Sequence, residues 1–279
     1  MTPKVSILIA CHNEGKRIVE CLHSLLLQDL GPLEIIVADD GSTDDTAALA
    51  EAIPKVRVLR LPHRGKAKTV NQAAGESLGS ILLFLDGDMV FQPDYVRRLV
   101  QPILDGQEIG TCHGTEYVAN PEGRWSRCWQ LTAGLPPNLR LSLTDREASE
   151  GSIVFRAILK SEFMRVGGFN DTGYLDDQTL FAKLGVKARF VKEAVCRHYN
   201  VETLSEVYAL GRWQGKSIAY LHGSRALLGF FPLFAFWHAG VGLYRHGYLP
   251  MASYILVHRW GAFTGILGFV WTGGKTYGR

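Results

Sequence analysis

Cysteine is scarce in this chain. There are five in 279 residues, Cys11, Cys21, Cys112, Cys128 and Cys196, odd in number, widely spaced and without a Cys-x-x-Cys pair. That excludes a disulfide framework and a thiolate zinc site, and it points to reduced thiols in a cytosolic protein. Acid is missing from the far end: nothing after Glu206 is Asp or Glu, so residues 197–279 carry eight Lys/Arg against Glu202 and Glu206, a net of +6, which leaves residues 1–196 at −3. A total of +3 divided in this way suggests an acidic site in the body and a basic tail that prefers anionic surroundings, with no nucleic-acid partner. The apolar run at 5–10 is too short for a signal-peptide core, and no small-x-small site precedes Cys11-His12-Asn13-Glu14, so a first strand is expected there. A Gly-rich phosphate loop after that strand is also lacking, which argues against a nucleotidylyltransferase. A phosphoacceptor receiver domain would be near half this length and would need a late lysine at a strand end, which is not found.

What is present is organised around Ile81-Leu82-Leu83-Phe84-Leu85-Asp86-Gly87-Asp88-Met89. Five apolar residues in a row, branched and aromatic, predict a strand buried on both faces, as parallel strands between helix layers are. An ionised carboxylate left unpartnered there would cost several kcal/mol, so Asp86 and Asp88 belong beyond the strand's C-terminal end. Open parallel sheets bind ligands at that end. If strand geometry persists, Asp-x-Asp turns both carboxylates to one side, a hard oxygen pair suited to a divalent cation carrying phosphates. The plainer alternative is a solvated turn.

Strands are also expected at 5–10, 33–38 and 56–61, with an amphipathic helix carrying Ile18, Val19, Leu22, Leu25 and Leu26 after the first. Ser42 reads as the cap of the next helix, with Asp45 three residues on. The basic loop His63-Arg64-Gly65-Lys66-Ala67-Lys68 leads into a helix through Asn71 and Ala74. Strand and helix in alternation predict an α/β fold, a doubly wound, mostly parallel sheet with flanking helices. Three strands end in polar clusters, Asn13/Glu14, Asp39/Asp40 and Asp86/Asp88, which parallel strands would gather along one edge. Taken singly, the first is also a helix cap and the second a turn.

The segments 5–14, 35–46, 65–79 and 84–88 together resemble the nucleotide-sugar domain of family 2 glycosyltransferases, which have the GT-A fold. Downstream, Gly151-Ser152-Ile153-Val154-Phe155-Arg156, Val166-Gly167-Gly168-Phe169-Asn170 and Leu175-Asp176-Asp177-Gln178-Thr179-Leu180 look like that family's acceptor-side strand, Gly-Gly-Phe element and "Glu-Asp" motif. The resemblance covers about 4–215 and departs in three places. Ala10-Cys11-His12 stands where Pro-x-Tyr is usual, Asp176 where Glu is usual, and Arg212-Trp213 lacks the Gln that processive polymerising members carry three residues earlier.

Moving a sugar from a nucleoside diphosphate needs a seat for the nucleotide, charge against the departing diphosphate, and a base for a hydroxyl that is a poor nucleophile at neutral pH. The resemblance makes Asp177 the base of an inverting displacement, with Asp176 beside it. Two acids opening a helix are also ordinary dipole partners, and that position would lower their pKa. Asp88 with Asp86 would hold Mg²⁺ or Mn²⁺, and Asp86 would lean on the ribose. Asp40, with Asp39, Asn13 and Glu14, would line the nucleotide seat. Lys66 reaches the nucleotide or is a solvated loop charge. His198 resembles a metal-coordinating histidine of some GT-A enzymes, the alternative being a structural role. Arg212 would fork onto the diphosphate beside Trp213, or simply pack on it.

These readings divide the chain at 1–220, a glycosyltransferase domain, and 221–279, an apolar, basic helical tail. Residues 226–244 and 248–271 are mostly apolar, but Pro232 and glycines interrupt the first, and His258-Arg259 sit within the second. With Trp237, Tyr244, Tyr248, Tyr254, Trp260 and Trp271 as interfacial residues, the tail is expected to lie on an anionic membrane surface, peripheral at the cytoplasmic face; a transmembrane hairpin and a plain soluble helical subdomain are the alternatives. The expected reaction uses a UDP- or GDP-sugar and a glycan or lipid-linked acceptor of the cell envelope. A non-catalytic nucleotide-sugar or lipid binder, or a nucleotidylyltransferase, is the competing reading.

Overall fold

The computed structural model describes residues 4–272; the last seven positions of the expected tail, 273–279, lie outside the described residues. In chain order the elements are β1 (Val5–Cys11), α1 (Ile18–Leu26), β2 (Leu33–Asp40), α2 (Thr46–Glu51), β3 (Val56–Leu61), α3 (Lys66–Glu76), β4 (Ile81–Asp86), β5 (Met89–Phe91), α4 (Tyr95–Leu104), β6 (Gly110–Val118), α5 (Arg124–Ala133), β7 (Leu139–Ser142), α6 (Asp145–Glu150), β8 (Ala157–Leu159), α7 (Lys160–Arg165), α8 (Thr179–Leu184), β9 (Arg189–His198), α9 (Leu204–His222), α10 (Ala226–Gly229), α11 (Pro232–His246) and α12 (Pro250–Trp271).

One sheet runs β3-β2-β1-β4-β8-β6-β9-β5, with β7 beside β6. The half built from β1 to β4 is parallel, and β8, β6, β9 and β5 extend it, with β8 antiparallel to β4 and to β6, and β5 antiparallel to β9. Pleating sends alternate side chains to opposite faces. Ile7, Ile9, Leu83 and Leu85 therefore pack with Ile18, Leu22 and Leu25 of α1 and with Tyr95 and Leu99 of α4. Leu8, Leu82 and Phe84 pack the other way, with Val70, Ala73 and Ala74 of α3 and with Phe163. Since β1 is flanked by β2 on one side and β4 on the other, the winding reverses at β1, and the crevice for a ligand opens at its C-terminal end.

The doubly wound expectation holds, but local details differ from the pattern read in the sequence. Strand β4 stops at Asp86, and Gly87-Asp88 form a turn before β5, so the pleat that would have aligned the two carboxylates is broken. Helix α2 begins at Thr46 rather than after Ser42: the Asp44 carboxylate accepts the Thr46 amide at 3.0 Å, and the Ser42 hydroxyl accepts the Asn13 amide at 2.9 Å instead. The segment read as a strand at 151–156 is mostly irregular, and the paired strand is Ala157–Leu159.

The chain divides into two compact units, residues 1–117, 140–171 and 176–198 in one, and 118–139, 172–175 and 199–279 in the other. The boundary expected at 220/221 falls inside α9, which is a continuous helix. In the second unit α9 and α12 meet along glycines. A Cβ at Gly211 or Gly215 would collide with the α12 backbone at His258 or Ala262, and one at Gly261 or Gly265 with the α9 backbone at Tyr208 or Arg212. Small residues at i and i+4 on both helices let the two backbones touch. Helix α11 turns its small residues Ala235, Ala239 and Gly242 inward, while Leu233, Trp237 and Tyr244 on the opposite face are 72%, 71% and 93% exposed. No single helix among the described residues is long and apolar enough to cross a membrane, although 204–229 and 232–246, bent by 84°, would pass together on length and composition.

Candidate active site

Register brings the strand-end acids together. Across the parallel ladders Ala10 pairs with Asp86 and Cys11 with Asp39, so the carboxylates of β2 and β4 flank the end of β1 as expected. The Asp40 carboxylate is buried and accepts hydrogen bonds from the Arg64 amide at 2.8 Å, the Gly65 amide at 3.0 Å and the Thr69 hydroxyl at 2.8 Å. It thereby fixes the loop that starts α3, and His63 Nδ1 stands 3.0 Å from its Oδ2. Asp39, also buried, receives the Ser42 amide at 3.3 Å. Asn13 adopts φ of 59°, a left-handed conformation that Asn tolerates, and its side-chain oxygen accepts the Thr43 amide at 2.8 Å. The Glu14 backbone amide donates to the Thr46 hydroxyl at 2.8 Å. His12 stacks on His63 with ring centroids 4.3 Å apart, and both Nδ1 atoms lie within 3.0 Å of the Asp40 carbonyl oxygen.

Asp86 faces cations on both oxygens, Lys66 Nζ at 2.5 Å and Arg156 at 2.9 Å. Burial would raise its pKa, but those two charges outweigh it and hold the carboxyl well below the usual range. Lys66 is thus ion-paired with Asp86 at the end of β4. A small cavity opens beside this trio, lined by Lys66, Arg156, Asp176 and Asp177 and walled by Phe84, Phe155 and Phe169. Asn71 anchors one wall, its side chain donating to the Phe169 carbonyl and accepting the Phe169 amide, both at 2.9 Å.

Asp176 and Asp177 lie in a single 3-10 turn, Gly173–Gln178, that runs into α8. The lowered pKa expected from a helix N-terminus is not what the surroundings give. Burial dominates and pushes Asp176 up to about 7, against the pull of Lys66 and with Asp177 adding to the rise; burial also raises Asp177, opposed by Lys66 and Arg156. Asp176 is the more buried of the two, leaving Asp177 the more accessible carboxylate.

Asp88 turns to a different partner. Its Oδ1 is 3.2 Å from His198 Nε2, which β9 presents directly opposite Met89 of β5. The other ring nitrogen, Nδ1, is 2.8 Å from Glu116. Burial would lower the His198 pKa, but Asp88 and Glu116 raise it to about 9. An oxygen and an imidazole nitrogen converging on one place fit a divalent cation of the Mn²⁺ type. Asp86 turns its two oxygens to Lys66 and Arg156 in this arrangement, and not toward the Asp88–His198 pair. Arg212 and Trp213 lie on α9 in the second unit, with Trp213 buried.

Sequence reasoning gave Arg156 no role and passed over Glu116, His113 and Arg140. The signal for Arg156 was an arginine closing an apolar segment. For His113 and Glu116 it was two ionisable residues inside a strand.

The model of glycosyl transferase family 2 matches residues 6–169, more than half of the chain. The hyaluronan synthase of Pasteurella multocida is 31% identical over 214 residues, which cover 67% of this chain but only 22% of that protein. The uncharacterized glycosyltransferase YibD of Escherichia coli K12 is 25% identical over 237 residues, 78% of this chain and 67% of YibD. Among solved structures, the mannosyltransferase PcManGT from Pyrobaculum calidifontis in complex with GDP-Man and Mn²⁺ superposes with a TM-score of 0.56 at 19% identity, over 92% of this chain and 86% of that one. S. aureus TarS 1-349 in complex with UDP-GlcNAc gives 0.54 at 19%, over 77% and 66%. At such identity the likeness carries the fold, and the fold is GT-A. With the family model matched over most of the sheet and its strand-end acids, the chain belongs to glycosyl transferase family 2.

Proposed function

We propose that the protein is an inverting glycosyltransferase that moves a sugar from a UDP- or GDP-sugar to a hydroxyl of a glycan or lipid-linked acceptor. The observation that carries this reading is the cavity in which two cations, Lys66 and Arg156, and two acids, Asp176 and Asp177, meet beside Asp86. That arrangement separates the two tasks of the reaction: fixed positive charge for a phosphorylated donor, and a carboxylate with raised basicity for the acceptor proton. Asp177, the more accessible acid, takes the hydroxyl proton, and Asp176 shapes the pocket beside it. Direct attack opposite the diphosphate inverts the anomeric carbon. Asp88 and His198 would hold Mg²⁺ or Mn²⁺, the imidazole favouring Mn²⁺, and such an ion when bound neutralises charge on the diphosphate. Asp39, Asn13 and Glu14 form the rim at the end of β1, and the buried Asp40 holds the loop leading to Lys66 in place.

The acceptor side of the reading extends to the membrane. What supports attachment to an anionic bilayer is the outward face of α11, large and apolar where a helix in water would be polar, in a stretch that lacks acids after Glu206 and carries Arg225, Arg245 and Arg259. Cytoplasmic attachment without spanning is the form proposed.

Hydrolysis and transfer assays across a panel of UDP- and GDP-sugars, with and without Mn²⁺, test the central reading. Turnover of at least one donor that Asp177→Asn abolishes is the expected result. Donor binding without any turnover would instead favour a non-catalytic binder, and release of pyrophosphate from a nucleoside triphosphate a nucleotidylyltransferase.

A further inference from the structure

Glu116 sits in β6, only 7% exposed, yet it gathers more charged partners than any proposed role so far explains. Its Oε1 is 2.8 Å from Arg140 Nε and 2.8 Å from His198 Nδ1, and its Oε2 is 3.1 Å from His113 Nε2. Beyond His113, Nδ1 lies 2.9 Å from the hydroxyl of Tyr95, which is fully buried. A carboxylate facing three donors, one of them a guanidinium that never loses its charge, is ionised and can only accept. The hydrogens then follow from the acceptors. His113 Nε2–H donates to Glu116, so in the neutral ring Nδ1 accepts from the Tyr95 hydroxyl. His198 Nδ1–H donates to the same carboxylate, which leaves Nε2 as the nitrogen turned toward Asp88, 3.2 Å away.

The ring of His198 is therefore held by the buried Glu116 through the nitrogen opposite the one beside Asp88. His113, Glu116 and Cys196 also bring ligand atoms within 4.8 Å of one another. They do not make a convincing ion cage, since both nitrogens of His113 and both oxygens of Glu116 already have hydrogen-bonding partners.

We propose that Glu116 is the positioning residue of the divalent-cation site: it fixes the tautomer and the orientation of His198 so that Nε2 is presented beside Asp88. Arg140 and the Tyr95–His113 pair keep Glu116 itself ionised and in place. The inference rests on the reading of His198 as a cation ligand, and the test separates the two.

The measurement is Mn²⁺ affinity, followed by the electron paramagnetic resonance signal of the free ion with UDP or GDP at fixed concentration, on the full chain. Loss of a carboxylate behind a ligating histidine weakens metal binding about 10- to 100-fold in comparable sites. Glu116→Gln should show a loss of that order, and Glu116→Asp, which keeps the charge, should recover part of it. In a His198→Gln background the same Glu116→Gln change should cost nothing further, because the group through which Glu116 acts is gone. A purely structural Glu116 would weaken binding equally in both backgrounds, and that result overturns the proposal. So does wild-type affinity in Glu116→Gln when His198→Gln is impaired. An affinity unmoved by His198→Gln overturns the cation-ligand reading itself and this proposal with it. If Glu116→Gln melts too early to be measured, the comparison is made with Glu116→Asp, whose deficit must likewise vanish in the His198→Gln background.

Discussion

Asp86 and Asp88 are two residues apart and have different neighbours, so removing the charge of each should do different things. Asp86→Asn leaves Lys66 and Arg156 facing one another around a neutral amide in a poorly solvated place. Breaking a buried ion pair costs about 3–5 kcal/mol, and the partial exposure of Lys66 reduces that here to roughly 2–3 kcal/mol. A clear fall in the urea midpoint is expected. Asp88→Asn removes the charge facing His198, so some fall in the midpoint is expected there too, but its distinguishing effect should be loss of the metal-dependent part of UDP or GDP binding seen by calorimetry; binding that keeps its metal dependence would contradict the assignment. The pair Asp176 and Asp177 predicts a pH profile. Burial raises both acids, and the base, Asp177, works only when ionised, so turnover should climb with pH through a range above that of an ordinary carboxylate before levelling off. A carboxylate at its ordinary pKa would give a flat profile from pH 5 upward. Asp177→Asn should lose at least ~10²-fold in turnover with donor affinity retained, the usual size of a general-base contribution. The acids at the ends of apolar strands, Asp39, Asp40, Asp86 and Asp88, were legible from the strands they close, whereas Asp176 and Asp177 were legible only through the family resemblance. Their basicity was not, because it depends on aromatic walls contributed by Phe84, Phe155 and Phe169 from separate segments. Glu116 was illegible for a related reason: its partners Arg140 and His198 are far from it in sequence.

The parallel strands were readable to within one or two residues, because β1 and β4 are buried on both faces and show it as apolar runs, broken only at Ser6. The antiparallel strands β5 to β8 were not, being short or carrying polar residues such as His113 and Glu116 within the strand. Glycines were underrated as well. Gly211, Gly215, Gly261 and Gly265 were given no role in the sequence, whereas in the fold they are what lets α9 and α12 pack. Opposite signs are therefore predicted for two glycine substitutions in the second unit. Gly265→Val forces a branched side chain against the α9 backbone and should destabilise by about 1–3 kcal/mol or more. Gly240→Ala, in α11 with nothing near the added carbon, should stabilise by roughly 0.5–1 kcal/mol through helix propensity. Thermal melts of both variants in the same detergent or lipid check the pair; a neutral Gly265→Val would show that the two helices separate easily.

For the molecule as a whole, the α11 face predicts how the protein partitions. Salt screens attraction between arginines and anionic headgroups, whereas a spanning helix is held by apolar burial that salt does not weaken. High-salt or carbonate washes of membranes should release a measurable part of the protein, and liposomes without anionic lipid should bind it less. Complete retention through both washes, with Arg245 open to protease only from the far side, would establish a spanning hairpin. The arrangement of the sheet has a consequence of another kind, in the order of synthesis. The parallel half, β3-β2-β1-β4, is encoded without interruption by the first strands made, but the outer edge of β4 at Ile81, Leu82 and Leu83 pairs with Leu159, Ile158 and Ala157. A nascent chain that has completed its first four strands therefore carries a bare, apolar edge until the ribosome has passed β8, and an unpaired edge of that kind is a template for other chains. Truncations that stop before residue 157 should accumulate in inclusion bodies, and slowing translation between β4 and β8 should lower the soluble yield of the intact protein.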